Sequence, residues 1–353
     1  VKVLVAMSGG VDSSVAAAML RDAGHDVVGV TMRLWGGASD TGCCSVSDTD
    51  DARRVASQLG LDHLVFNFAD DFERDVVDPY VRAHADLSTP NPCIECNRTI
   101  KFARLAERAD DLGFDAIATG HHARVTTDGA GRHRLERGAD RAKDQSYVLH
   151  MLGQAQLART LFPVGVLTKR EVRALATDLG LGTAAKPDSQ DVCFITSMEG
   201  RETFLTERIA TRPARVVDTS GRQLGTVAAM ELITIGQRKG LGLPGGQPKR
   251  YVVDVDARSA VVVLGDEHDL AGRRLEVDAM SWVDAIPASL VHGVLVQSSA
   301  HGTPQPANVE VIDDASVTIT FDEPQRRVAP GQSVVLYDVT DTWVLGGGIA
   351  GTH

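Results

Sequence analysis

No apolar run in the 353 residues approaches the roughly 18 that a membrane-spanning helix needs, so no membrane partner is expected. The first residues already read as a strand, so no secretory leader is expected and the cytoplasm is the expected compartment. A basic excess is also missing: the formal net charge is −11, which argues against broad, nonspecific nucleic-acid binding while leaving room for a local basic patch. The five cysteines are odd in number, which fits reactive or metal-bound thiols better than a disulfide framework. No long internal repeat is present. What remains, with 43% hydrophobic and 24% charged residues, is the composition of a globular protein long enough for two or three domains.

The pattern divides near residue 208. Before it, strands alternate with helices: strands at 1–7, 27–34, 63–68 and 116–119, and helices at 12–22, 50–59, 72–85 and 101–112. Gly24, Gly60 and Gly113 stand where helices end, and Thr168-Lys169-Arg170-Glu171 is a capping box opening a helix to Leu179. This alternation predicts an α/β domain with a parallel sheet. After Thr211 the helical period vanishes and short Val-rich runs lie between Gly-containing turns, which predicts two small, mostly β units, the last a β-barrel. The expected division is 1–208, 209–272 and 273–353. The stretches 126–137 and 297–305 carry no periodicity and read as mobile loops.

The chain is organised around Ala6-Met7-Ser8-Gly9-Gly10-Val11-Asp12-Ser13-Ser14, a Ser/Gly-rich turn between the first strand and an Ala-rich helix. Glycines let backbone N–H groups approach an anion, and the helix adds the positive end of its dipole. No Lys follows the glycines, so this is not the loop that grips β- and γ-phosphates for transfer, nor is it the spaced G-x-G-x-x-G of dinucleotide binders. Ligands of parallel sheets bind past the carboxyl ends of the strands. That edge is expected to gather this loop, the segment from Met32 to Trp35, and Gly120-His121-His122.

Cys93 and Cys96 lie between two prolines and two asparagines, read as a loop between helices. A zinc site needs a second pair, and adjacent Cys43-Cys44 are awkward for one tetrahedral ion. Cys96 precedes Asn97, Arg98 and Lys101 at a helix start, where positive charge and helix dipole favour a nucleophilic thiolate. Cys193, about a hundred residues on, is either a structural thiol before Phe194-Ile195 or a second thiol that works with Cys96 on a persulfide or mixed disulfide. Arg124, Arg132, Arg134, Arg137, Arg141 and Lys143, followed by Lys169, Arg170 and Arg173, form either a solvated face or a patch for nucleic-acid phosphates.

Ser8-Gly9-Gly10-Val11-Asp12-Ser13-Ser14 resembles the PP-loop of ATP pyrophosphatases. Taken with Asn91-Pro92, Cys96-Asn97, Ala118-Thr119-Gly120-His121, Lys143-Asp144-Gln145-Ser146, Asp188-Ser189 ahead of Cys193-Phe194-Ile195, and Pro330-Gly331-Gln332-Ser333, it resembles the bacterial tRNA-specific 2-thiouridylase family along essentially the whole chain. The resemblance implies a PP-loop catalytic domain, a small central domain and a C-terminal β-barrel. It implies ATP-dependent adenylation of the C2 oxygen of the wobble uridine in the tRNA anticodon, then sulfur delivery from a cysteine persulfide. It makes Cys96 the nucleophile and Cys193 the persulfide carrier. Ala6, Met7, Ser8, Gly9, Gly10, Val11, Asp12, Ser13, Met32 and Gly120 would contact ATP, with Mg2+ on its phosphates and Asp12 a contributor. Asn91, Pro92 and Cys93 would line the flipped-out base, while His121, Lys143, Asp144, Gln145 and Gln332 would touch tRNA. A cysteine desulfurase or sulfur-carrier protein would supply the sulfur.

Two positions depart from the family's pattern. Cys93 stands where many relatives have Asp, and 296–301 lacks the Arg of an Arg-rich tRNA-binding strand. Two alternatives make different predictions. Another PP-loop synthetase would not depend on Cys96 or Cys193, and a non-catalytic nucleotide- or RNA-binding module would leave both thiols without a task.

Overall fold

The computed structural model describes residues 1–35, 46–188, 192–195, 200–243, 249–287 and 290–351. Cys43 and Cys44, and Ser189, Gln190 and Asp191, lie outside the described residues. The N-terminal domain is built on β1 (Lys2–Ala6), β2 (Asp26–Arg33), β3 (Asp62–Asn67), β4 (Ala116–Ala118) and, further along the chain, the short strand Thr160–Leu161. These five strands are all parallel in the order β3-β2-β1-β4 and then Thr160–Leu161. Val3, Leu4 and Val5 of β1 are fully buried because helices cover both faces. Helices Val11–Asp22, Val46–Leu59 and Lys169–Asp178 pack on the side of Val3, Val5 and Val15. The runs 69–85 and 92–111 belong to the side of Leu4, Phe72 and Ile100. The chain leaves β1 toward β2 on one side while β4 lies on the other, so the strand order reverses between β1 and β4. A parallel sheet opens a ligand crevice at such a reversal.

Two of the expected loops are ordered elements. Residues 92–111 form one helical run that starts well before Lys101. Asn91 and Pro92 do not break structure here. Asn91 is the N-cap, accepting from the Cys93 amide at 3.0 Å, and Pro92 takes the first helical position, where its missing N–H costs nothing. Cys93 and Cys96 are therefore helical, and the middle of the run, Cys96–Arg104, is wound as a π-helix.

The stretch 126–137 is largely a β-hairpin of β5 (Ala123–Thr127) and β6 (His133–Arg137). Its arginines are not a phosphate-ready patch. Arg124 pairs with Glu136, Arg132 with Asp128 and Asp284, and Arg134 with Asp128. Arg137 is buried, held by Asp144 at 2.8 Å and Asp341 at 2.6 Å, and stacked over Tyr337 at 3.5 Å. Asp341 also takes Arg141. Asp341 and Tyr337 belong to the C-terminal domain, so this basic cluster fastens the hairpin to the barrel.

The second half is all-β apart from short helical turns. A four-stranded sheet joins Tyr251–Asp256, Val261–Gly265, Ala214–Asp218 and Gln223–Val227 in that order, with one parallel pairing in its middle. The strands Ala271–Trp282, Val317–Arg326, Gln305–Val311, Leu290–Gln297, Ser333–Tyr337 and Val344–Ala350 close into a six-stranded barrel around Val309, Ile319 and Val334. Its first strand escaped the Val-rich pattern because it holds a single valine and carries a bulge between Asp278 and Ser281, with Ala279 at φ +51°.

Candidate functional site

The loop after β1 lies at the strand-order reversal. Gly9 has φ +70°, and a side chain there would overlap the Asp48 carbonyl. Ser13 Oγ accepts from the Ser8 amide at 3.2 Å and donates to the Gly10 carbonyl at 3.2 Å, which rounds the loop into a cradle. Gly10 caps the helix Val11–Asp22 without a side-chain hydrogen bond of its own. Gly120, entering from β4, lies flush against the same turn: a Cβ there would fall 2.5 Å from the Ser13 nitrogen and 2.8 Å from the Asp12 carbonyl carbon.

The lysine missing from the loop is supplied from far along the chain. Lys186 Nζ donates to the Gly9 carbonyl at 3.0 Å and pairs with Asp48 at 2.6 Å and Asp51 at 2.7 Å. Lys169 Nζ pairs with Asp12 at 2.6 Å and Asp188 at 2.9 Å. His122 Nε2 lies 3.1 Å from Asp12. Burial by itself would raise the Asp12 carboxyl pKa, but the hydrogen bonds of His122 and Lys169 prevail and hold it below its ordinary value. Asp188 also carries Lys143 at 2.9 Å and Arg173 at 2.7 Å; burial opposes ionisation there, yet Lys169 and Lys143 bring its pKa down to about 2. Two lysines thus sit beside the cradle, each paired with two carboxylates. Asp48, Asp51 and Lys186 carried no sequence signal beyond an i,i+3 acidic pair on a helix.

The thiols share a neighbouring hydrophobic cluster. Cys96 is 6% exposed and belongs to the cluster of Phe72, Tyr80 and Phe194; Cys193 packs against that same cluster. Cys93 is exposed. The Tyr80 ring stands edge-on to Phe194 at 5.4 Å, and burial raises its hydroxyl pKa, with a smaller contribution from Cys93. Trp35, just past β2, meets Phe194 at 6.2 Å and Phe72 at 6.5 Å. Lys186 therefore touches the cradle, and Cys193 and Phe194 join the cysteine cluster.

Comparison with known proteins agrees over the full length. Family models match residues 1–197 (tRNA methyl transferase HUP domain), 202–266 (tRNA methyl transferase PRC-barrel domain) and 272–350 (aminomethyltransferase beta-barrel domain). The tRNA-specific 2-thiouridylase MnmA of Chloroflexus aggregans is 46% identical over 351 residues, spanning 98% of this chain and 97% of its own. That of Chloroflexus aurantiacus is 47% identical over the same shares, and that of Carboxydothermus hydrogenoformans 46% identical over 98% and 96%. The chain belongs to the tRNA-specific 2-thiouridylase family.

Within this 2-thiouridylase chain, the residues expected to meet tRNA occupy different settings. Lys143 has an accessible side chain. Asp144 accepts from the Gly138 amide and from Arg137, and Gln145 Oε1 accepts from the His122 amide at 2.9 Å, so both brace the loop beneath Lys143. His121 is buried between Phe102 and Phe162, its Nδ1 2.7 Å from Thr119 Oγ1, and burial pushes its pKa well below the ordinary value. Gln332 donates to the Thr89 carbonyl, and the Thr89 amide donates to Pro330 at 2.8 Å. The C-terminal domain thus holds Thr89, the residue just ahead of Pro90 and Asn91. Met32, Ala6 and Met7 are buried at the strand ends that floor the cradle. Arg98, expected to charge the Cys96 environment, shares its charge with Glu95 at 3.5 Å.

Gly120 offers a clean test of the cradle. Gly120→Ala drives a methyl into the backbone of Asp12 and Ser13, displacing the loop by a few tenths of an ångström or more. The expected result is an approximately hundredfold fall in tRNA-dependent pyrophosphate release, measured at saturating tRNA. Gly129→Ala, in a turn with nothing within 4 Å of its Cβ and no left-handed backbone, is the control for a general loss of fold.

Proposed function

We propose that this chain converts the wobble uridine of tRNA to 2-thiouridine, using ATP. The reading is carried by one observation: Lys186 is bonded into the anion cradle while Cys193 packs with Cys96's cluster. The C2 oxygen of uridine is a poor leaving group, and its transfer to the α-phosphorus of ATP, with departure of pyrophosphate, makes it part of AMP. Ala6 to Ser13, Met32 and Gly120 hold the nucleotide, and Lys169 and Lys186 move from their carboxylates to its phosphates. Mg2+ supplies charge neutralisation at those phosphates, and Asp12 suits a hard cation that takes one carboxylate and otherwise phosphate oxygens.

Cys193 receives sulfur from a cysteine desulfurase or sulfur-carrier protein as a persulfide. Its terminal sulfur adds to C2 and AMP leaves, joining base and Cys193 through an S–S bond. Cys96, the nucleophile on the tRNA side, attacks the Cys193 sulfur. That breaks the bond, leaves the outer sulfur on the base as the thione and closes a Cys96–Cys193 disulfide, which a thiol reductant reopens. Asn91, Pro92 and Cys93 line the extruded base, and Lys143 and Gln332 lie on the tRNA side. The units 1–208, 209–272 and 273–353 serve as catalytic, connecting and tRNA-holding parts.

The test is incubation with ATP, unmodified tRNA and a cysteine desulfurase with cysteine, followed by nucleoside analysis. One AMP and one pyrophosphate per 2-thiouridine are expected. A methylated tRNA nucleoside in place of the thiolated one, or thiolation without ATP, would overturn the reading.

A further inference from the structure

Away from the cradle and the thiols, a cleft of about 180 Å³ lies between the β5–β6 hairpin and the barrel. Trp282 and Trp343 line it, with Asp128, Arg134, Asp284 and Pro287. The Arg134 guanidinium carbon lies 3.7 Å over the centre of the Trp343 ring, a cation–π contact. The Trp282 indole N–H is buried and meets no acceptor among the described residues, a donor left desolvated at a cost. Trp282 directly follows the bulge at Asp278–Ser281, which re-aims the end of its strand. The reaction described above uses none of these groups.

The charges at the cleft are already matched. Arg132 bridges Asp128 at 3.2 Å and Asp284 at 2.9 Å, and Arg134 also pairs with Asp128. Among the described residues a phosphate would meet two carboxylates and no arginine that is not already paired, so the cleft suits a neutral planar ligand. A flat ring can extend the Trp343–Arg134 contact. The orphaned indole N–H asks for a ring nitrogen or carbonyl acceptor, and the carboxylates ask for an amino group. We propose that this cleft takes an unpaired, amino-bearing base of the tRNA substrate, distinct from the base that is thiolated. Stacking on aromatic and guanidinium planes, with hydrogen bonds at the base edge, is how single-stranded RNA is held. The site is also wired to the thiols: Arg98, two residues past Cys96, donates to Ser281 Oγ at 3.3 Å, beside Trp282.

This inference rests on tRNA being the substrate, and its test reads the cleft separately from thiolation. The chain has three tryptophans, so Trp35→Phe leaves Trp282 and Trp343 as the only emitters. Unmodified tRNA should quench their emission, saturating at the affinity measured by filter binding at the same salt. Trp343→Leu should weaken tRNA binding roughly tenfold. Trp282→Phe, which keeps the ring and removes only the N–H, should weaken it severalfold while preserving the fold. Unchanged emission at saturating tRNA, or unchanged affinity in both variants, overturns the proposal. So does quenching by adenosine monophosphate at concentrations as low as those of tRNA, which would assign the cleft to a free nucleotide. If the chain binds and quenches with tRNA yet forms no 2-thiouridine, the functional reading fails and the cleft stands.

Discussion

We expect serine at Cys193 to abolish 2-thiouridine formation, and serine at Cys96 to abolish it when no free thiol is present to resolve the link to Cys193, a loss of roughly a thousandfold or more, because each change removes a reacting nucleophile. Release of pyrophosphate in the presence of tRNA persists in both, because the cradle of Ser8 to Ser13 and its lysines are untouched. The two variants then part. With Cys193→Ser no sulfur reaches the base. With Cys96→Ser the sulfur is delivered but the S–S link to Cys193 is not resolved, so a covalent protein–tRNA species accumulates that a thiol reductant releases; a non-reducing gel detects it. Cys93→Ser is the discriminating third variant. Cys93 is the exposed thiol of the three, whereas Cys96 is nearly buried. Retained thiolation in Cys93→Ser with loss in Cys96→Ser assigns the attack to Cys96, and the reverse pattern transfers it to Cys93. The burial of Cys96 has a mechanical consequence. Its helix must yield for the thiol to reach a substrate, and the π-wound stretch Cys96–Arg104 that begins at this residue is a less stable winding than the α-helix on either side.

The anion loop was legible because its whole chemistry is contiguous: strand, two glycines, serines and a helix start follow one another. The capping box at Thr168 was legible for the same reason, with Thr168 Oγ1 and Glu171 meeting as their spacing dictates. The lysines were not. Lys169 and Lys186 reach Asp12 and Gly9 across more than 150 residues, and no local spacing encodes that meeting. The helix at 92–111 was misread because Asn and Pro act as breakers inside a helix but as cap and first residue at its start. The β5–β6 hairpin was hidden by its charge. Arg and Glu in a strand look like solvent, yet here Arg137 and Arg134 are neutralised by carboxylates and lie over Tyr337 and Trp343. Those ring partners sit some 200 residues away, so a basic cluster that reads as either a solvated face or a nucleic-acid patch is a domain interface only in the fold.

That interface also holds an acid-sensitive group, His150. His150 is 1% exposed, and neither ring nitrogen has a hydrogen-bond partner among the described residues. Gly347 of the barrel is pressed on the ring, since a Cβ there would lie 2.7 Å from His150 Nδ1. Burial, with Arg98 adding to it, depresses the imidazole pKa to about 3 from an ordinary 6.5. Below 6.5 the unfolded chain binds a proton at His150 that the folded chain refuses, so this residue subtracts stability as pH falls from 6.5 toward 3. It is neutral in its effect above that window. The loss is about 2 kcal/mol at pH 5, growing to about 3 at pH 4. His150→Leu keeps an apolar side chain against Gly347 and removes the titration. Its urea midpoint should therefore fall less steeply than the wild type's between pH 7 and 5, by about the equivalent of 2 kcal/mol. Parallel pH profiles for the two proteins would mean that the ring finds a proton acceptor when the barrel and catalytic domain are together, and the neutral, unpartnered imidazole would have to be abandoned.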